Sequence, residues 1–384
     1  MSAQDAFRAA RLEHLREVLE ADVAARKYWG ASIRIAQHGE QLAHLVVGHA
    51  DEAQRIPLQD DTVFSIFSVT KAFVNVLILR AIELGRIALT TKVSDIIPEF
   101  SGPPRERATI HHFLTHTNGL PGVWETKPGL AFDELSEMVE SVVALVHGAS
   151  EPGSRCDYSP MANHILLGEV LRRTDPEGRS INDIFEQDLL IPLGMDDTRL
   201  GLRAHMRPRH VMPDFRGVVP VQHLSKQNDD PNGIFLAERH EAVWMGAAST
   251  AQDMGRFAEM LRRGGELDGA RILSPAMIRL ARRNHTGDFP NELYKAAALR
   301  NGYEVPPAYL GLGFSVRGER IVKHQFGTLT SPATFGNYGA GSTEYWVDPE
   351  LDATFVGLST GLLPQGPNID RFQRLSDIVV SALS

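Results

Sequence analysis

The sequence predicts an α+β fold, in which an antiparallel sheet is flanked by N- and C-terminal helices and carries an inserted, mostly helical lobe. Two groups of strand patterns lie far apart in the chain, one at residues 30–51 and one from residue 311 onward. The patterns between them are mainly helical. Because segregated strands and helices are typical of α+β folds, we expect a sheet lobe of residues 1–85 and 201–384 and a helical lobe of residues 86–200.

The chain begins with an amphipathic helix, followed by two strands. Apolar residues spread over one broad face of this helix: Ala10, Leu12, Leu15, Val18 and Leu19. The helix lacks the apolar core of a signal peptide, so we expect a cytoplasmic protein. Residues 30–51 then have the pattern of two strands joined by a turn at His38, Gly39 and Glu40.

A long apolar helix begins near Ser68 and ends near Gly85. Thr109 is the predicted N-cap of the next helix, which Asn118 and Gly119 would stop. Amphipathic patterns then predict three further helices of the helical lobe. These helices lie within residues 132–148, 161–173 and 180–194.

Residues 203–245 have little periodic pattern and are rich in Pro, Asp, Asn and Arg. An irregular segment of this length is usually a lid or a binding loop. The elements predicted after it are two helices at 250–265 and 273–283, strands at 311–318, 342–349 and 353–360, and a last helix at 368–384. Residues 348–352 form the predicted hairpin turn between the last two strands.

Composition restricts the possible partners. The 384 residues carry a formal net charge of −9 and show no basic stripe, so we expect neither a nucleic acid nor an anionic membrane as a partner. No stretch approaches the roughly 18 apolar residues that a membrane-spanning helix needs. The single cysteine, Cys156, excludes an intrachain disulfide, and we expect it to be a buried small apolar residue.

Ser68 and Lys71 form a Ser-x-x-Lys sequence at the start of the long apolar helix. Residues three apart share a helix face, so the Lys71 amine should lie over the Ser68 hydroxyl. A serine hydroxyl becomes a good nucleophile when a base takes its proton, and burial lowers the pKa of a lysine so that it can be that base. Apolar neighbours predict this burial: Phe67, Ala72, Phe73, Val76 and Leu77. Free N–H groups at the helix N-terminus would also favour developing negative charge.

Three further segments follow in an order that resembles a known family. Residues 111–122 resemble the helix and turn that follow the nucleophile in serine beta-lactamase-like hydrolases. Residues 151–171, with a tyrosine after a Pro-Gly turn, resemble the second motif of that family, and residues 335–350 resemble its glycine-rich third motif. The chain from about residue 30 to its end is therefore similar to the superfamily of class C beta-lactamases, D,D-peptidases and carboxylesterases, and is closest to its esterase branch. The resemblance implies a beta-lactamase-like fold.

The resemblance also implies the roles of individual residues. Ser68 is the acylated nucleophile, Lys71 helps to remove its proton, and Tyr158 moves protons between Ser68, the leaving group and water. A nearby Lys71 ammonium would lower the pKa of Tyr158, and the sequence leaves open which of the two holds the proton. The implied oxyanion hole consists of the backbone N–H groups of Ser68 and Ala340.

Two departures from the family pattern bear on the substrate. The second motif usually has an asparagine two residues after the tyrosine, where this chain has Pro160, and Asn163 is only nearby. The third motif usually begins with a lysine or histidine that binds a substrate carboxylate, but here Asn337, Tyr338 and Gly339 align with it. Asn337 has no charge, which favours a neutral ester or amide over a beta-lactam. Tyr338 should narrow the site or stack on the acyl group.

The prediction is a serine hydrolase that cleaves carboxylic esters of small molecules through an acyl-enzyme on Ser68. An acyltransferase, a lactone or amide hydrolase, and a non-catalytic penicillin-binding-like sensor remain alternatives. We expect Trp244 and Tyr309 to border the site, because they flank irregular segments. No metal or other cofactor is expected, since the histidines at 111, 112 and 116 lack the pattern of a zinc site. The oligomeric state remains open.

Overall fold

A computed structural model describes residues 3–51, 53, 55–215, 218 and 221–383 of the chain. The α-helices in these residues are α1 (Ala3–Ala24), α2 (Thr70–Glu83), α3 (Val93–Ile96), α4 (Ile110–Leu114), α5 (Leu135–Leu145), α6 (Ala162–Thr174), α7 (Ile181–Phe185), α8 (Ala251–Arg262), α9 (Pro275–Ala281), α10 (Glu292–Arg300) and α11 (Gln365–Leu383). Short 3₁₀ turns lie at Phe67–Val69, Pro98–Phe100, Arg105–Arg107, Arg207–Arg209 and Gly233–Phe235. A π-turn, Glu186–Leu190, continues α7. Within the described part of the chain, no helix combines the length and apolar character that crossing a membrane requires.

The strands of the described residues are β1 (Gly30–Gln37), β2 (Glu40–Gly48), β3 (Val63–Ser65), β4 (Arg199–Leu200), β5 (His210–Val211), β6 (Ala247–Ser249), β7 (Glu266–Leu267), β8 (Ala270–Arg271), β9 (Ser315–Val316), β10 (Phe335–Gly339), β11 (Thr343–Asp348) and β12 (Ala353–Thr360). Six of them form one antiparallel sheet in the order β2-β1-β12-β11-β10-β9. The expected α+β fold with an antiparallel sheet is thereby confirmed. Strand β1, near the start of the chain, lies beside β12, near its end. The two ends of the chain therefore meet in this sheet.

Helices cover both faces of the main sheet. Helices α1 and α11 pack on one face, where Trp346 and Phe355 belong to the same apolar cluster as residues of both helices. Helix α8 packs on the other face, against Tyr345 and Val356. All eight residues of β12 are buried for this reason, since neither face of that strand reaches water. In α1, Leu15 and Leu19 are buried as expected, whereas Ala10 is exposed.

Helix α2 runs through the centre of the molecule. Eleven of its fourteen residues are buried. Phe73 contacts Phe257 of α8 edge to face at 4.9 Å between ring centroids, and Phe185 of α7 at 6.4 Å. The helix is thus held between the layer that covers the sheet and the helices that follow it in the chain. This packing fixes the position of the Ser68 turn at its N-terminus.

A smaller sheet, in the order β4-β6-β3-β5, leads directly into that turn. Strand β3 ends at Ser65, and the next N–H, that of Ile66, donates to the Ala247 carbonyl at 2.9 Å. The Thr70 hydroxyl accepts a hydrogen bond from the Ala247 N–H at 3.0 Å. The segment before Ser68 is therefore anchored on the backbone of β6.

Most of the expected local structure is present. His38 and Gly39 have φ values of 54° and 85° in the turn between β1 and β2, which is the left-handed conformation of tight hairpins. Thr109 caps α4 in a capping box with His112, and Thr250 caps α8. Residues 203–245 contain only very short elements among those described, as the irregular pattern predicted. Helix α10 was not expected from the sequence.

Candidate active site

Ser68 lies in the 3₁₀ turn that precedes α2. The residue before it, Phe67, has a φ of +49°, a left-handed conformation that typically costs about 1–3 kcal/mol in a non-glycine residue. Apolar packing offsets this cost, because the Phe67 ring contacts Phe235 at 5.1 Å and Phe215 at 5.9 Å between centroids. The sharp turn leaves Ser68 half-buried at a cavity while its neighbours are buried.

The Ser68 hydroxyl lies between an amine and a phenol. Lys71 Nζ is 2.9 Å from Ser68 Oγ, as the spacing of three residues predicted. The Tyr158 hydroxyl donates to the same oxygen at 3.1 Å, although Tyr158 is ninety residues further along the chain. Both groups are therefore within proton-transfer distance of one serine oxygen.

The amine of Lys71 is buried among neutral groups. Its second contact is the backbone carbonyl of Trp244, to which Nζ donates at 2.7 Å, and the side chain is only 3% exposed. Burial lowers the pKa of Lys71 well below its usual value of 10.5, because desolvation penalises the ammonium form. A lysine in this state can accept the proton of Ser68.

The pKa of Tyr158 shifts in the opposite direction from the expectation. Burial raises the pKa of the Tyr158 phenol above its usual value, with a further increase from Tyr294, and the hydrogen bond with Ser68 offsets only part of it. The expectation of a lowered Tyr158 pKa was wrong, because burial of the phenol dominates its electrostatics. Burial thus disfavours both charged forms, the ammonium of Lys71 and the phenolate of Tyr158.

The turn between β10 and β11 approaches the Ser68 turn closely. A Cβ atom on Gly339 would lie 3.1 Å from Ser68 N and 2.7 Å from the Ile66 carbonyl oxygen, so only glycine fits there without displacement. Thr343 Oγ1 donates to the same Ile66 carbonyl at 2.9 Å. Ala340, the next residue in the turn, is exposed. Its N–H and that of Ser68 therefore belong to two backbone segments in close contact.

Two buried histidines form the floor of the site. The His116 ring lies 4.8 Å from the Tyr158 ring and 5.8 Å from the His164 ring, between centroids. Burial and the nearby Lys71 lower the pKa of His116 to about 3, and the same two causes lower the pKa of His164. His164 Nε2 is 3.0 Å from Asn75 Oδ1. Both imidazoles are therefore neutral, and they place no positive charge beside the Lys71 amine.

The three histidines of residues 111–116 serve separate purposes. His112 Nδ1 accepts the Thr109 N–H at 3.1 Å in the cap of α4, and the His111 ring contacts His285 at 5.5 Å between centroids. His116 lies in the site. Within the described ranges, no three His, Cys, Asp or Glu side chains are grouped so that they could hold a metal ion. Cys156 is buried, as expected.

The amide of Asn337 is occupied by protein partners. Its Nδ2 donates to the Gly313 carbonyl at 3.0 Å, and its Oδ1 accepts the Tyr345 hydroxyl at 2.7 Å. Asn163 does not line the cavity, and its Nδ2 donates to the Phe113 carbonyl at 3.1 Å. Neither amide therefore substitutes for the polar side chain that the family pattern usually provides.

The two aromatic residues expected at the border of the site, Trp244 and Tyr309, have different positions in the structure. Trp244 reaches the site through its carbonyl, while its ring packs on Phe132 at 4.9 Å between centroids. Tyr309 lies behind the wall, where its hydroxyl donates to Asp288 Oδ1 at 3.2 Å. The adjacent Leu310 lines the cavity instead. Neither aromatic ring is brought to the cavity surface.

Two residues at the start of α10, the N-cap Asn291 and Tyr294 within the helix, complete the site and were missed in the sequence. Asn291 Oδ1 accepts the Tyr158 N–H at 3.2 Å, and the Tyr294 ring stacks on the Tyr158 ring at 5.8 Å with an interplanar angle of 21°. A signal was available, because residues 292–300 are mostly strong helix formers and are followed by Asn301 and Gly302, a typical helix stop.

These residues surround a cavity with about 490 Å³ of empty space, the solvent at its mouth included. Its walls come from all parts of the chain: Ser68, Lys71 and Asn75 of the first turns, Leu114 and His116, Tyr158 and His164, Asn291 and Tyr294, Leu310, Gly313, Phe314 and Ser315, and Asn337 and Tyr338. Polar and aromatic side chains thus make up most of the walls, and a concave site on which polar groups converge is typical of small-molecule binding.

The fold, together with a serine held by an amine and a phenol, defines the class of protein as a serine hydrolase. The chain belongs to the Beta-lactamase family, whose model matches residues 15–379. This membership confirms the resemblance that the sequence motifs indicated.

Several known proteins resemble the chain along most of its length. Esterase EstB of Burkholderia gladioli is 28% identical over 284 residues, which cover 66% of this chain and 70% of EstB. The crystal structure of a penicillin-binding protein homologue from Caulobacter crescentus superposes with a TM-score of 0.75 at 25% identity, covering 96% of this chain and 97% of the other. EstCE1, described as a hydrolase with promiscuous acyltransferase activity, superposes with a TM-score of 0.76 at 20% identity, covering 98% and 100%. The last likeness concerns the fold alone.

Proposed function

We propose that the protein hydrolyses neutral carboxylic esters through a covalent acyl-enzyme on Ser68. The observation that carries this proposal is the position of Ser68 Oγ, 2.9 Å from Lys71 Nζ and 3.1 Å from the Tyr158 hydroxyl at a cavity. We further propose that the site lies between a sheet lobe of residues 1–85 and 201–384 and a helical lobe of residues 86–200. Ser68 comes from residues 1–85, Tyr158 from residues 86–200 and Tyr338 from residues 201–384, which supports this division.

Acylation begins with the neutral Lys71 amine. As Ser68 Oγ attacks the ester carbonyl, its proton moves to Lys71 Nζ, and the carbonyl electron pair moves onto the oxygen. The N–H groups of Ser68 and Ala340 would stabilise this oxyanion. When the carbon–oxygen bond to the alcohol breaks, the bonding pair goes to the leaving oxygen, which takes the Tyr158 proton. The ammonium then returns a proton to the phenolate.

Deacylation repeats these transfers with water as the nucleophile. Water attacks the acyl carbonyl as Lys71 takes its proton, and Ser68 Oγ leaves with the bonding electron pair. A proton from Tyr158 restores the serine hydroxyl, and Lys71 restores the phenol. The acid is released, and the resting amine and phenol are regenerated.

The activity should depend on pH through Lys71. Because only the neutral amine accepts a proton, kcat/KM for a neutral ester should fall as the pH drops through the lowered pKa of Lys71. It should then form a plateau that begins well below pH 10.5 and extends upward, since Tyr158 keeps its proton beyond its usual range. A kcat/KM profile between pH 5 and 10 measures this. A kcat/KM that still rises about tenfold per pH unit up to pH 10 would contradict a lowered pKa of Lys71.

The substrate preference should favour esters over beta-lactams. Both polar ends of Asn337 already bind protein groups, so no cation at the third motif pairs with a lactam carboxylate. Such a charge-assisted hydrogen bond is typically worth about 1.5–3 kcal/mol. We expect kcat/KM for nitrophenyl butyrate to exceed that for a chromogenic cephalosporin by about ten- to a hundredfold. Asn337→Lys should shift the ratio toward the lactam, and a higher wild-type constant for the cephalosporin would overturn the esterase assignment.

A second candidate is acyl transfer to an alcohol. It uses the same acyl-enzyme, and the fold likeness to EstCE1, a hydrolase with promiscuous acyltransferase activity, favours testing it. Products of nitrophenyl butyrate turnover in the presence of an added alcohol distinguish the two activities: butyric acid indicates hydrolysis, and a new ester indicates transfer. A lactone or an amide could acylate Ser68 by the same steps.

A further inference from the structure

A second cavity, with about 800 Å³ of empty space when the solvent at its mouth is included, adjoins the Ser68 cavity. The two cavities share five wall residues, namely Asn291, Tyr294, Leu310, Ser315 and Tyr338. The second cavity lies between α10, the segment at residues 303–308 and the start of α11. A substrate attached to Ser68 could therefore extend past Tyr294 and Tyr338 into this space.

The chemistry of its wall suits a large apolar group. Small and apolar side chains form much of the surface: Ala297, Ala298, Pro306, Pro307, Ala308 and Ile369. Its charged side chains already have partners. Lys323 pairs with Asp370 and lies 3.6 Å from the centroid of the Tyr303 ring, and Glu304 accepts from Arg320 at 2.7 Å. Burial of an aromatic or alkyl group in this cavity would give the largest gain in binding free energy, since each buried CH₂ contributes about 0.8 kcal/mol.

The position of Tyr158 indicates which half of an ester enters. The leaving oxygen must lie near the Tyr158 hydroxyl to take its proton. The Tyr158 ring stacks on Tyr294 at 5.8 Å between centroids, and Tyr294 in turn interacts with the Tyr338 hydroxyl. Both Tyr294 and Tyr338 form the junction of the two cavities. The alcohol side of the bond therefore faces the second cavity, whereas the carbonyl oxygen faces the Gly339–Ala340 turn.

We propose that the second cavity, called here the alcohol cavity, binds the alcohol portion of the substrate and selects esters of large apolar alcohols. The proposal rests on the acyl-enzyme mechanism at Ser68. On collapse of the tetrahedral intermediate, the carbon–oxygen bond breaks with its electron pair on the alcohol oxygen, and the Tyr158 proton neutralises it. The freed alcohol then occupies the alcohol cavity, while the acyl group remains on Ser68.

A pair of adjacent alanines on α10 provides the test. Ala297 lines the alcohol cavity, whereas Ala296 is exposed and lines neither cavity. Specificity constants are compared for three esters. Ethyl butyrate has no naphthyl ring, 2-(naphthyl)ethyl butyrate has the ring on its alcohol portion, and ethyl 4-naphthylbutanoate has the ring on its acyl group. The wild-type protein should prefer the naphthylethyl ester over ethyl butyrate by about tenfold or more. Ala297→Trp should lower that ratio at least about tenfold, and Ala296→Trp should leave it within about twofold.

The outcomes separate this proposal from the proposed function. If wild type hydrolyses the esters but Ala297→Trp leaves the naphthylethyl preference unchanged, the alcohol cavity is wrong and the esterase stands. A selective loss on ethyl 4-naphthylbutanoate would show that the cavity holds the acyl group and would also overturn the proposal. If no ester is cleaved, the proposed function itself fails. Should Ala297→Trp not fold, Ala308→Phe on another wall of the cavity must give the same loss of ratio.

Discussion

Replacing Ser68 with alanine should lower kcat/KM for a neutral ester at least about a thousandfold, because the acyl-enzyme cannot form without the hydroxyl. The variant should fold normally, since Ser68 is half-buried at a cavity wall and the turn around it is held by the packing of Phe67. Two measurements check this result. One is the specificity constant for nitrophenyl butyrate, and the other is the intact mass after treatment with a fluorophosphonate, which should label the wild type once.

Ser315→Ala is the matched control, because Ser315 lines the same cavity and the mechanism gives it no part in bond making. It should keep the fluorophosphonate label. Ser68→Ala should take no label, and mass spectrometry of the labelled wild type should locate the label on Ser68. An alanine variant that retains more than a few per cent of ester hydrolysis would show that Ser68 is not the nucleophile. A wild-type protein that takes no label and cleaves no ester would refute the proposed esterase mechanism.

Lys71 and Tyr158 should behave as one unit. Lys71→Ala and Tyr158→Phe should each reduce turnover at least about a hundredfold, because general acid–base groups contribute roughly 10²–10⁴-fold. The double variant should be hardly worse than either single variant, since both act on protons of the same Ser68 Oγ. A double-mutant cycle on kcat/KM measures this coupling.

Tyr294→Phe is the control for the tyrosine substitution. It removes a hydroxyl from the ring that stacks on Tyr158 but leaves the Tyr158 phenol in place, so most of the ethyl butyrate activity should remain. If the losses from Lys71→Ala and Tyr158→Phe multiply, the two residues act independently and the shared proton transfer is wrong. A Tyr158→Phe variant with nearly full activity would assign the leaving-group acid to another residue.

Much of the local structure could be predicted from the sequence. The three-residue spacing placed Lys71 over Ser68 because helical periodicity is set by the backbone alone. Capping chemistry located the starts of α4 and α8, and the His38–Gly39 turn located the hairpin. The burial of Lys71 followed from its apolar neighbours, and with it the lowered pKa. Family motifs supplied Tyr158, which no local pattern would have selected.

Other features depended on contacts between distant residues. Helix α10 brings Asn291 and Tyr294 into contact with Tyr158. No sequence pattern near Tyr158 predicts these contacts. The raised pKa of Tyr158 results from burial and from Tyr294, so a prediction from its charged neighbour alone had the wrong sign. Tyr309 was expected at the site but lies behind its wall, and Trp244 contributes a backbone carbonyl that a side-chain argument does not consider.

The sequence by itself determined most of the longer elements and which residues of one helix turn can act together. These properties depend on hydrogen bonds and side chains within a few residues, and such interactions leave a periodic pattern in the chain. The tertiary structure alone decided the direction of the Tyr158 pKa shift, the closeness of Gly339 to Ser68 N, and the alcohol cavity. Desolvation and cavity shape depend on every segment that packs around a group, and here those segments are separated by as much as 271 residues, as Ser68 and Gly339 are.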